Sequence, residues 1–137
     1  MLVRKDMHDA MKKLVALNSQ TISSATTTVG NVIDTQGYHA AELIFTLGNW
    51  TDGSFTPLIE ESDSSGSGYT AVADENLFGT EAEAAALLVA DNAIASIGVR
   101  LGKRYLRVSM VTAGGISTGS QGVAAVACLA IDQTPAQ

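Results

Sequence analysis

The stretch 40-AAELIFTLG-48 alternates. Ala41, Leu43, Phe45 and Leu47 share one face, while Glu42, Ile44 and Thr46 share the other. A period of two is that of a β-strand, because successive side chains leave the backbone on opposite sides. No other feature constrains the fold as much, since an amphipathic helix needs an apolar period near 3.6. Short strand-like runs, separated by turn residues, fill most of the chain.

Strands are expected at LVAL (14–17), TTTVGNVID (26–34), 40–48, SFTPLIEES (54–62), YTAVA (69–73), IASIGVRL (94–101), YLRVSMV (105–111) and QGVAAVACLAI (121–131). Asp52-Gly53 in 49-NWTDGS-54 is a strong hairpin signal. Pro57 cannot donate to a ladder, which predicts an edge or a bulge in its strand. The run 62-SDSSGSG-68 reads as a flexible surface loop. Residues 74–92 carry helix-forming Glu, Ala and Leu, and Thr80 with Glu83 resembles a capping box, so one short helical insertion is expected there.

About eight short strands at regular spacing indicate an all-β, antiparallel sandwich or barrel rather than a βαβ fold. The domain plan is an N-terminal arm or short helix over 1–13, one β-sandwich over 14–131 and a polar tail over 132–137. Alternation predicts an inward set of Leu43, Phe45, Leu47, Phe55, Ile59, Leu106, Val108, Met110 and Val126. The last strand is so uniformly apolar that cover on both its faces is expected.

The net charge is −6 with only eight Lys and Arg, which argues against a general nucleic-acid binder. Charged residues make up 16% of the chain, a sparse surface that suits contact with other proteins. Cys128 is the one cysteine, so no intrachain disulfide or cysteine-based zinc site is expected. His8 and His39 lack metal-ligand spacing, and no cofactor is expected. MLVRKDMHDAMKKL does not read as a signal peptide, and no apolar run approaches membrane-spanning length. The chain is expected to be made in the cytoplasm.

Two basic clusters stand out: Arg4, Lys5, Lys12 and Lys13 in the expected arm, and Lys103 with Arg104 in a turn. Both are candidates for contact with an acidic protein. Counting from Phe55 places Glu61 on the core side of its strand, where a charge needs a partner; Arg107 is the candidate for that salt bridge. Adjacent carboxylates such as Glu60 and Glu61 point to opposite faces and form no catalytic pair. There is no GxSxG, and the glycines of 113-AGGISTG-119 open no phosphate loop. An enzyme is the least favoured reading.

Four segments, 34-DTQGYHAAELIFTLG-48, 52-DGSFTPLIEESD-63, 69-YTAVADENLFGT-80 and 102-GKRYLRVSM-110, resemble the capsid decoration, or cement, proteins of tailed bacteriophages. The resemblance spans most of residues 14–131 and carries no catalytic motif. It implies a jelly-roll-like β-sandwich on the outside of an icosahedral virion, bridging major capsid protein subunits as a homo-dimer or homo-trimer. Alternatives are another virion part on a similar fold, such as a head fibre base, tail or receptor-binding protein, and a carbohydrate-binding β-sandwich. The last would use exposed aromatics, and the only tryptophan, Trp50, falls in a turn.

Overall fold

In the computed structural model, residues 7–131 are described. A helical turn, α1 (Met7–Ala10), leads into β1 (Met11–Ile22). The strands β2 (Thr27–Asp34), β3 (Ala40–Thr46), β4 (Asn49–Trp50), β5 (Ser54–Ser62) and β6 (Thr70–Ala71) follow. After a 3₁₀ turn and β7 (Leu77–Phe78) comes the helix α2 (Glu81–Leu87). The chain closes with β8 (Ile94–Arg100), β9 (Tyr105–Ala113) and β10 (Ser120–Ala130). No helix of the described residues is long and apolar enough to cross a membrane.

Two antiparallel sheets pack as a sandwich. One has six strands in the order β1-β10-β3-β8-β7, with β4 also paired to β10; the other has four, β2-β9-β5-β6. The pairing is nested: β1 with β10, β2 with β9, β3 with β8, and β5 with β6. That is the connectivity of a long hairpin rolled up on itself, a jelly roll.

The core is thin and aliphatic. Phe45 and Phe55 are its two large fully buried aromatics, surrounded by Leu43, Ile97, Val108 and Leu129. Each such side chain stabilises the fold by roughly 1.5–3 kcal/mol relative to exposure. Every residue of the expected inward set is buried except Val126, which is 39% exposed. In β10 the inward residues are Val123, Ala125, Ala127 and Leu129, the opposite parity. Among the described residues nothing closes over the outer face of that strand, where Ala124, Cys128 and Ala130 are half-buried and Val126 is exposed.

Other expectations are revised. β1 is twelve residues long and includes Lys12 and Lys13, so the sandwich begins before residue 14. Residues 1–6, with Arg4 and Lys5, and the expected tail at 132–137 lie outside the described residues. The Asp-Gly turn makes no hairpin, because β3 and β5 belong to different sheets. The Asp52 carboxylate instead accepts from the N–H groups of Ser117, Thr118 and Gly119 and from the Ser117 hydroxyl, at 2.6–3.2 Å. These donors, the Ser117 hydroxyl foremost, hold its pKa well below the usual carboxylate range. The 62–68 loop is closed on itself: Ser62 Oγ donates to Ser67 O and accepts from Ser64 N–H, and Tyr69 Oη donates to Ser65 O.

The sheet edges are protected. Ile59 N–H donates to Glu81 Oε2 of α2 at 2.9 Å, and Ile59 O accepts from Val72 N–H. Groups two residues apart on a strand point the same way, so the donor that Pro57 lacks falls on this outer edge, beyond the reach of β6. Thr80 caps α2 as expected, its Oγ1 accepting from Glu83 N–H at 3.0 Å. On the other side, Asn31 Nδ2 of β2 donates to Val15 O and Asn18 Oδ1 of β1, clasping the two sheets together. Next to it Gly30 marks the pinch between the layers: a Cβ there would lie 2.3 Å from both Ala16 O and Val108 O.

Candidate functional site

The outer face of the four-stranded sheet carries a charged and aromatic cluster. Antiparallel register sets Glu60 of β5 directly opposite Arg107 of β9. Arg107 Nη2 donates to Glu60 Oε1 at 2.8 Å, with the two side chains only 25% and 17% exposed. This corrects the expected partner: Glu61 sits opposite the core residue Leu106 and forms no salt bridge with any described residue. The alternation of β9 already put Arg107 on the outward face, and the outward carboxylate of β5 at that level is Glu60. Glu61 is half-buried near Gly102, at the strand end.

The Tyr69 ring lies over the Arg107 guanidinium, 4.1 Å from its centroid, in cation–π geometry. Burial pushes the Tyr69 hydroxyl above its ordinary pKa, while the Arg107 charge pulls it down. Arg107 Nε is buried without a hydrogen-bond partner among the described residues. The stacked ring and the Glu60 bond therefore hold the guanidinium in place.

One end of this face is built by the turn before β9. Thr35, 3% exposed, donates its hydroxyl to Arg104 O at 2.6 Å and its N–H to the same carbonyl at 2.8 Å. That buried anchor sets the loop carrying Lys103 and Arg104. Arg104 binds Asp34 with two parallel bonds of 3.0 and 2.9 Å and stacks on Tyr105 at 5.1 Å. The Arg104 bond, then the Gln36 N–H, lowers the Asp34 pKa from 3.8 to about 2. The Lys12 charge adds a small further pull in the same direction.

The sequence-predicted basic residues thus divide. Arg107 lies on the four-stranded sheet with Lys103 and Arg104 in the turn before β9, whereas Lys12 is on β1 of the six-stranded sheet. Lys13 points out from the six-stranded sheet, level with Cys128 and Glu42, and Arg100 lies there over the Phe78 ring at 6.0 Å. Asp34, Thr35 and Tyr69 were not singled out by sequence reasoning, and Glu60 was weighed there only as a carboxylate that forms no catalytic pair with Glu61. The signal for Asp34 and Glu60 was available only through strand register, which sequence spacing does not give. Trp50 packs against the core and donates its indole N–H to Gly53 O at 3.1 Å, so it offers no open sugar platform. Among the described residues no group of three or more His, Cys, Asp or Glu could hold a metal ion.

No family model matches this chain, and no curated protein matches it. The cluster is read from its own chemistry: two ion pairs, Asp34–Arg104 and Glu60–Arg107, each with its guanidinium against a tyrosine ring.

Proposed function

We propose that this chain is a structural virion protein that binds the outside of an icosahedral tailed-phage capsid and stabilises it by bridging major capsid protein subunits. One observation carries the reading. The four segments that resemble decoration proteins, far apart in sequence, supply one cluster: Asp34 from the first, Glu60 from the second, Tyr69 from the third, and Arg104 and Arg107 from the fourth. The likeness therefore converges on a surface patch rather than on the core alone.

The mechanism is additive. Arginine–tyrosine and ion-pair surfaces of this kind favour interface contacts, where Arg and Tyr are enriched. Each contact is modest. Many copies on one lattice act at high effective concentration, so the shell is held by the sum. Lys103 and Lys12 supply steering toward an acidic capsid surface, an effect that salt weakens.

The test is copy number in purified particles, by quantitative gel, together with rebinding of purified protein to particles stripped of it. Hundreds of copies, and rebinding weakened by Lys103→Glu and Lys12→Glu, are expected. A few copies per particle would move the chain to a fibre or tail role. Absence from particles would end the reading.

A further inference from the structure

The helix α2 bridges one flank of the sandwich. It packs on β5 of one sheet and β8 of the other, and it turns Ala84 and Leu88, 3% and 0% exposed, into the slot between them. Seven residues of helix do not hold their shape alone, so these contacts keep it in place.

Its two ends are fastened differently. On the C-terminal side Asn92 N–H donates to Gly48 O at 2.6 Å, and Asp91 Oδ1 accepts from Trp50 N–H at 2.8 Å. Asn92 has a φ of 56°, and it is the one non-glycine residue with positive φ among the described residues. On the N-terminal side Gly79 has a φ of 93°. There Glu81 rests on β5 through the bond from Ile59 N–H to its Oε2, at 2.9 Å.

The setting of Glu81 does not suit a charge. It is half-buried and forms no salt bridge with any described residue. Asp74 of the 3₁₀ turn and Glu60 of β5 act on it, and both disfavour another carboxylate there. Glu61 turns toward Gly102, and Glu83 bonds the Thr80 hydroxyl. Arg100, the ionisable residue of β8, lies over the Phe78 ring. Burial above all, with those two acids, pushes the Glu81 carboxyl up from its ordinary 4.5, against the pull of the Ile59 N–H.

We infer that residues 79–93 form a proton-sensitive latch, which pivots at its bolted Asn92 end and releases β5 at its Glu81 end. A protonated Glu81 still accepts the Ile59 N–H through its carbonyl oxygen, so neutralisation keeps the bond and removes the repulsion. The closed latch binds that proton more tightly than the open one. Closure is therefore strongest below 4.5, weakens as pH rises through the raised value, and stays level above it. Opening frees the Ile59 N–H and uncovers the slot that Leu88 fills. The inference stands apart from the proposed function, because the latch is a property of the isolated chain.

Amide hydrogen exchange of the full chain by NMR, from pH 5 to 8 and corrected for intrinsic rates, tests it. Ile59, Ala84 and Leu88 should share one opening constant, larger than that of Leu43 and Ala127 in the core strands. It should rise with pH by up to about tenfold for each pH unit between the ordinary and raised values, then level off. Glu81→Gln keeps an acceptor without the charge, so it should open several-fold less than the parent at pH 7 and lose the pH dependence. Glu81→Ala removes the acceptor and should open more at every pH. Exchange of the three amides only through global unfolding, a Gln variant that opens more than the parent, or a pH dependence that survives in it would overturn the proposal. Circular dichroism checks the fold of each variant, and the Gln variant decides the matter should Glu81→Ala unfold.

Discussion

Gly30→Ala is the sharpest probe of how the two layers are joined. The added methyl would sit 2.3 Å from Ala16 O in one sheet and from Val108 O in the other. Ordinary contacts are about 1 Å longer, so both carbonyls must retreat. Both belong to paired strands, and neither can swing aside as a side chain would. Overpacking of this kind costs about 1–3 kcal/mol, and clashes on two fixed carbonyls place it at the upper end, about 3 kcal/mol. The smaller chain-entropy gain from removing a glycine, about 0.4–1 kcal/mol, does not reverse the sign. For a domain of this size that is a fall in melting temperature of about 10 °C. Calorimetry reads it directly. Gly66→Ala is the control, because nothing lies within 4 Å of a Cβ there, and it should be neutral. A Gly30→Ala melting point equal to or above that of the parent would refute the pinch.

Two further outcomes follow from the charged cluster. Arg107→Ala strands the half-buried Glu60 and should cost about 2 kcal/mol, while Glu60→Ala should cost less because Tyr69 still covers the guanidinium; urea unfolding of both and of the double variant should show coupling near 1 kcal/mol. The depressed pKa of Asp34 gives stability that is present above its ordinary value of 3.8 and lost as pH falls toward about 2, and Asp52 acts in the same direction. Melting temperature should therefore decline across that window, and less steeply in Asp34→Asn. Glu81 works oppositely: burial raises its pKa, so its share is lost as pH rises through that value.

Much of the fold was legible because β3, β5 and β9 alternate over most of their length and their inward apolar residues are buried, with Ser62 and Ser109 buried out of phase. The capping box at Thr80 was legible because it is local. Three things were not. The run 123-VAAVACLAI-131 is apolar on both faces, so its parity carries no signal, and Val126 was assigned inward. Asp52-Gly53 satisfies a turn on the way between sheets as readily as a hairpin turn, and only the distant 117–119 backbone decides between them. The partner of Arg107 depends on register across strands some 47 residues apart in sequence, which nested pairing fixes and local spacing cannot.

The guarded borders of the sandwich carry a consequence for how copies meet. Pro57 and the Glu81 carboxylate deny an incoming strand its ladder on one flank, and Asn31 ties up Val15 on the other. Continuous growth from molecule to molecule, the route to fibres in β-rich chains, has no free template at these places. At these two flanks strand addition is closed, and contact between molecules is left to other surfaces.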